Sequence, residues 1–113
     1  SPIATAFGIC NQTFAPINTD AVFLRDTVTV PWEMPGTEEL AEAVGAALAH
    51  SRGAILQNHG LMAVGADLRK AATRAMMIEE TAKIALYVKQ FGGSVSLLPE
   101  DCLDRLASIS DFV

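Results

Sequence analysis

The sequence contains only two histidines, and one of them stands in a turn signal. His59 lies between Asn58 and Gly60, and Asn and Gly supply the positive φ that a tight turn needs. Apolar runs over 54–57 and 61–64 flank this signal, so the pattern predicts a β-hairpin with His59 at its tip. An imidazole there is free to project and could ligate a metal, although a lone histidine in a turn is more often only solvated.

The histidines alone cannot form a zinc site. A catalytic zinc takes about three protein ligands, and the second histidine, His50, falls at the predicted end of a helix, where a cation complements the dipole. Cys10 and Cys102 are far apart and form no C-x-x-C pair, which excludes a zinc ribbon or a dithiol redox motif. These 113 residues by themselves are therefore not expected to bind a metal tightly.

One carboxylate, Asp20, lies in a segment that has the composition of a loop. It lies in the segment PINTDA at 16–21, within a stretch from 11 to 26 that is predicted to be irregular. A positioned carboxylate can serve as a general acid or base. Asp and Asn are also ordinary loop formers, so the residue types alone leave both interpretations of Asp20 open.

The elements that would position these side chains follow from periodicity and capping signals. Besides the hairpin, the sequence predicts a helix over 3–10, a strand over 27–30, a helix from Glu38 to about His50 capped by Thr37, a long helix from Asp67 to Phe91 stopped by two glycines, and a short helix over 100–108. This order predicts a layered α/β domain whose sheet contains an antiparallel pair.

The long predicted helix has an apolar and a polar face. The residues assigned to its apolar face are Leu68, Ala71, Ala72, Ala75, Ile78, Ala82 and Ala85. The polar positions are Arg69, Lys70, Thr73, Glu80, Lys83 and Gln90. Glu79 and Lys83 have the spacing of a favourable i,i+4 ion pair. The pattern predicts an amphipathic helix that buries its apolar face.

Composition limits the classes of function. The net charge is −5 and no basic cluster is present, so binding to nucleic acid is not expected. No apolar run reaches the length of a membrane span, and two distant cysteines fit a reducing cytoplasm. Half of the residues are hydrophobic. Alanine, a helix former, contributes much of this fraction; the alternative is apolar surface that a partner subunit or a missing part of the domain covers.

Four segments in order resemble the class II aldolase/adducin family, which includes fuculose-phosphate aldolase and ribulose-phosphate 4-epimerase. They are SPIATA at the start, VPWEMPGTEEL at 30–40, LQNHGL at 56–61 and the long helix from Asp67. The resemblance covers the chain from Ser1 to about Gly93. It implies a three-layer αβα domain with a mixed, largely antiparallel sheet, of which residues 1–113 would be the carboxy-terminal part, incomplete at the amino end.

The resemblance also implies a metal centre. In this family a His-x-His pair directly before the stretch that matches SPIATA joins the histidine of the N-H-G turn around a divalent metal, usually zinc. His59 would then be the third ligand, while the His pair, an acidic catalytic residue and phosphate-binding loops would precede Ser1. Phe112 and Val113 are interpreted as a frayed end, although in the family the carboxy-terminal region helps to close the site.

The implied function is a metal-dependent lyase that cleaves a carbon–carbon bond of a sugar phosphate or a related hydroxy-acid. Asp20 matches the stretch where epimerases of the family carry an acid/base Asp that faces a neighbouring subunit, whereas fuculose-type aldolases carry a Tyr near Thr19. A 4-epimerase and a non-catalytic, adducin-like interaction domain are therefore the alternatives. The family builds its sites between subunits, which predicts a homo-oligomer, a tetramer.

Overall fold

A three-stranded mixed sheet lies at the centre of the structure, a computed structural model that describes residues 1–109. Its elements in chain order are α1 (Pro2–Ile9), α2 (Thr19–Phe23), β1 (Val28–Val30), α3 (Glu38–Leu48), β2 (Gly53–Leu56), β3 (Gly60–Ala63), α4 (Leu68–Phe91), a 3-10 turn (Glu100–Cys102) and α5 (Leu103–Ser108). The last two elements together correspond to the short helix predicted over 100–108. Phe112 and Val113 lie outside the described residues.

The strand order is β1-β2-β3. β1 runs parallel to β2, with Val28 opposite Ala54, whereas β2 and β3 form the predicted antiparallel hairpin. The described part of the sheet therefore has one pair of each kind. No helix in this part of the chain is both long and apolar enough to cross a membrane.

Helices cover both faces of the sheet because successive side chains of a buried strand point to opposite sides. Ile55 of β2 packs with Ala4 of α1 and Ile78 of α4 in one core cluster. Its neighbour Ala54 packs with Val44 of α3 in the second cluster. All four residues of β2 are buried, and the arrangement is the expected three-layer αβα domain.

Helix ends largely follow their capping signals. The Thr37 hydroxyl accepts a hydrogen bond from the Leu40 amide at 3.3 Å, and the Asp67 carboxylate accepts one from the Lys70 amide at 2.8 Å. The long helix ends before Gly92, whose φ of 71° continues no helix. The helix α3 ends at Leu48, two residues before the predicted bound at His50, which is exposed and follows the cap residue. Its role as a dipole complement stays a prediction.

The stretch from 11 to 26, predicted to be irregular, contains a helix. Asn18 caps α2 by accepting a hydrogen bond from the Ala21 amide at 2.8 Å. Val22 and the following Leu24 are buried, and Leu24 belongs to the same cluster as Ile55. Five residues are too few to show a helical period in the sequence. This short helix is stabilised by the packing of Leu24 against distant elements, which leaves no local signal.

Candidate metal-ligand turn and acidic cavity

His59 lies on the predicted hairpin, in a connection of three residues between Leu56 and Gly60. Asn58 has a φ of 62°, and the His59 amide donates a hydrogen bond to the Leu56 carbonyl at 2.9 Å. The left-handed residue is Asn58 alone. The expectation that Gly60 would also take a positive φ was wrong, because Gly60 is already the first residue of β3 and pairs with Leu56.

The imidazole of His59 is exposed, while the turn that carries it is held on two sides. The Gln57 amide donates to the Val30 carbonyl of β1 at 3.0 Å. The Gln57 side chain donates to the Gly8 carbonyl at 3.2 Å and to Asn11 Oδ1 at 2.7 Å, both at the end of α1. Gln57 was not singled out from the sequence, because its partners are 46 and 49 residues away.

The donor set of this turn suits one bond to a divalent metal. A neutral imidazole is a common zinc ligand, and an exposed side chain on a fixed backbone can meet ligands from elsewhere. Within residues 1–109 no three His, Cys, Asp or Glu side chains lie close enough together to hold a metal. His59 is therefore one donor of a possible centre, and its role as a ligand stays a prediction.

Asp20 lies in the first turn of α2, partly buried. It borders an open cavity of about 580 Å³ whose lining includes Ser1, Thr73, Met76, Glu79 and Glu80. His59 is not among the residues that line this cavity. The catalytic role of Asp20 stays a prediction, and its cavity opens on the amino end of α1.

Glu79 has a structural role that its spacing did not indicate. Its carboxylate accepts hydrogen bonds from the amides of Ile3 at 3.3 Å and Ala4 at 2.6 Å. Pro2 has no amide hydrogen, and Ser1 makes no side-chain cap, so Glu79 supplies the missing cap of α1 from another helix. The predicted ion pair with Lys83 was wrong, since the Lys83 ammonium lies 5.9 Å from the Tyr87 ring centroid instead.

A family profile described as the class II aldolase and adducin N-terminal domain matches residues 1–86. Among characterised proteins, the chain is 39% identical over 77 residues to a 5-deoxy-D-ribulose 1-phosphate aldolase from Bacillus thuringiensis, covering 68% of this chain and 36% of that protein. It is 35% identical over 71 residues to an L-fuculose phosphate aldolase from Escherichia coli, covering 63% of this chain and 33% of that protein.

Solved structures show the same fold. An L-fuculose 1-phosphate aldolase superposes with a TM-score of 0.80 at 24% identity, over 96% of this chain and 51% of that one. A putative aldolase/epimerase/decarboxylase from Klebsiella pneumoniae gives a TM-score of 0.78 at 24% identity, over 94% and 53% of the two chains. The chain thus spans about half the length of these solved structures and about a third of the length of the two characterised relatives. With its profile match, its hairpin and its three layers, the chain belongs to the class II aldolase and adducin family.

Proposed function

We propose that the complete protein cleaves a carbon–carbon bond of a sugar phosphate, or of a related hydroxy-acid, by metal-dependent aldol chemistry. The observation that supports this most is the exposed imidazole of His59 on a turn anchored to both α1 and β1. The relatives named as sugar-phosphate aldolases support the same substrate class. Residues 1–113 would supply the carboxy-terminal part of one domain, and the remaining ligands would come from the rest of it.

His59 would hold the metal through a ring nitrogen in its neutral form, so it would supply one metal bond and no proton. A divalent metal, in this proposal zinc, supplies Lewis-acid stabilisation of the negative charge that develops on substrate oxygen when the bond breaks. The turn contributes rigidity: the hydrogen bonds of Gln57 and the His59 amide limit the positions that the imidazole can take. A proton must also be exchanged with the substrate, and Asp20 would be the acid/base group for this step in the epimerase alternative.

An epimerase on the same scaffold is the second candidate function, and Asp20 is the observation that favours it. Its carboxylate stands at the edge of an open cavity, where a substrate held by a neighbouring subunit could reach it. An epimerase breaks and re-forms the same bond with the aldehyde face turned, which requires an acid/base group. The aldolase remains the proposed activity because the named relatives are aldolases.

Substitution of Asp20 by asparagine separates the two activities. If Asp20 is the acid/base group of an epimerase, Asp20→Asn should lower epimer exchange by about 10²–10⁴-fold, the usual loss for a positioned general acid or base. If the protein is an aldolase with Asp20 as a helix-start residue, release of the aldehyde fragment should change much less, and this is the result we expect. Both products are measured on the complete enzyme at saturating metal.

Asp101→Asn provides the control for that experiment. Asp101, like Asp20, lies in the first turn of a short helical segment, but it is exposed and lies outside the cavity of Asp20. Metal content and thermal unfolding should be the same in both variants as in the parent. The expectation would be contradicted if Asp20→Asn lowered fragment release by about 100-fold or more while Asp101→Asn left it unchanged. Asp20 would then be assigned to the proton transfer.

We further propose that the complete protein is a homo-oligomer, a tetramer, in the cytoplasm. Apolar side chains stand exposed along α4, including Met76, Leu86, Tyr87 and Phe91, of which Phe91 is 91% exposed. Apolar area of this kind on one helix is typical of a surface that another subunit covers. Light scattering on the complete protein at micromolar concentration should give the mass of four subunits. A monomer would contradict the assembly and remove the basis for a role of Asp20 in a neighbouring site.

A further inference from the structure

Gln57 lies two residues before His59, and its side chain points away from the turn toward α1. We propose that Gln57, together with Asn11, positions the His59 turn for metal binding. The inference rests on the proposed ligand role of His59, and it assigns no contact between Gln57 and the metal. What supports it is a set of hydrogen bonds that join the turn to two other elements.

The carboxamide of Gln57 uses one nitrogen for two bonds. Gln57 Nε2 donates to Asn11 Oδ1 at 2.7 Å and to the Gly8 carbonyl at 3.2 Å, while its backbone amide donates to the Val30 carbonyl at 3.0 Å. The Gly8 carbonyl lies at the carboxyl end of α1 and also accepts a hydrogen bond from the Asn11 amide at 3.1 Å. One residue of the turn is thereby tied to both β1 and α1.

Two left-handed asparagines adjoin this residue. Asn11 has a φ of 54° and Asn58 a φ of 62°, and within residues 1–109 these are the only non-glycine residues with positive φ. Such conformations are uncommon and persist where the surroundings determine them. One asparagine is the hydrogen-bond partner of Gln57 and the other follows it in sequence. Gln57 therefore connects the two non-glycine positions within residues 1–109 that have a left-handed backbone, one through its side chain and the other through the chain itself.

The helix that receives Gln57 is itself fixed. Gly8 is buried, and a Cβ at this position would collide with the Ile55 side chain of β2. At the opposite end of α1, the Glu79 carboxylate holds the amides of Ile3 and Ala4. Because α1 is held at both ends, the two hydrogen bonds of the Gln57 side chain can limit the motion of the turn that carries His59. Outer-shell partners orient metal ligands in a comparable way.

The test measures Zn²⁺ affinity of the complete protein by competition with a chromogenic chelator. Gln57→Leu removes both donors at similar volume, and Asn11→Gly removes one acceptor while keeping a residue that tolerates positive φ. Each variant should bind Zn²⁺ about 10–100-fold more weakly, the usual loss for an outer-shell partner. The double variant should lose no more affinity than Gln57→Leu alone, because the bond that Asn11→Gly removes is one of the two that Gln57→Leu removes.

Two further variants make the result decisive. Thr37→Ala removes the cap of α3 on the other face of the sheet and should lower thermal stability without changing Zn²⁺ affinity. His59→Ala, measured in parallel, tests the ligand role itself. If His59→Ala loses the metal but Gln57→Leu binds Zn²⁺ with full affinity, the positioning role is overturned and the ligand role stands. If Gln57→Leu does not fold, Asn11→Gly is judged in the same way. Full affinity in His59→Ala as well overturns the ligand role and this inference with it. An equal loss in Thr37→Ala would assign the effect to stability and overturn positioning.

Discussion

Replacing His59 with alanine in the complete protein is expected to remove most of the bound metal. Loss of an outer-shell partner typically costs about 10–100-fold in affinity or activity, and loss of a direct ligand should exceed that range. The fold should survive, because the His59 side chain is exposed and carries little packing. Surface substitutions of this kind usually change the free energy of unfolding by no more than about 0.5 kcal/mol.

His50 supplies the matched control, since the sequence has no other histidine. It is exposed and follows α3, and in His50→Ala the metal content and the rate of fragment release should equal those of the parent. Metal is measured by elemental analysis after dialysis, and cleavage by a coupled assay for the aldehyde product. One full equivalent of metal in purified His59→Ala would remove His59 from the ligand set.

The second large effect concerns stability rather than chemistry. Ile78 is fully buried, and it packs with Ala4 and Ile55 in the cluster that joins α4 to α1 and β2. Ile78→Ala should lower the free energy of unfolding by about 2–5 kcal/mol, since it removes buried methyl groups and leaves a cavity. That is a large share of the about 5–15 kcal/mol typical of a domain. Denaturant unfolding of the complete protein measures the change.

Leu68→Ala is the control for Ile78→Ala. Both residues were assigned to the apolar face of the long helix, yet Leu68 is 89% exposed at the first position of α4. Its truncation should change the free energy of unfolding by about 0.5 kcal/mol or less. Equal losses in the two variants would show that the first turn of α4 is covered in the assembled protein, contrary to the exposure seen in the single chain.

Local signals explain which parts of the fold could be predicted from the sequence. The hairpin around His59, the cap at Thr37 and the stop at Gly92 each depend on residues within a few positions of one another. The helical period of the long segment correctly placed Ile78 and Ala82 in the core. Periodicity extended that face to Leu68, however, because a pattern along one helix does not show where the neighbouring elements end.

Long-range contacts explain what could not be predicted. Glu79 was assigned to an ion pair with Lys83 on its own helix, but its carboxylate caps α1, 75 and 76 residues away. The same holds for Gln57, whose partners at Gly8 and Asn11 become neighbours only when the layers assemble. α2 was missed because its hydrophobic residues gain their burial from other elements. The local pattern therefore predicted the turn that carries His59, but not the contacts that fix this turn or the helix that carries Asp20.

The two candidate residues lie in different elements of the fold. His59 lies where the hairpin pattern predicted it, exposed and on a fixed backbone. Asp20 lies on a helix start at an open cavity rather than in a loop. His59 does not line the cavity that Asp20 borders. A site shared between subunits is part of the proposal, so the experiments use the assembled protein.

The most direct test of the metal-dependent function is the position of His59 in the metal-loaded complete protein. A crystal structure with anomalous scattering measured at the zinc edge would locate the ion and its ligands. The proposal predicts a ring nitrogen of His59 about 2.0–2.1 Å from zinc, the usual bond length for histidine. Zinc bound with the His59 imidazole outside its ligand set would contradict the proposal.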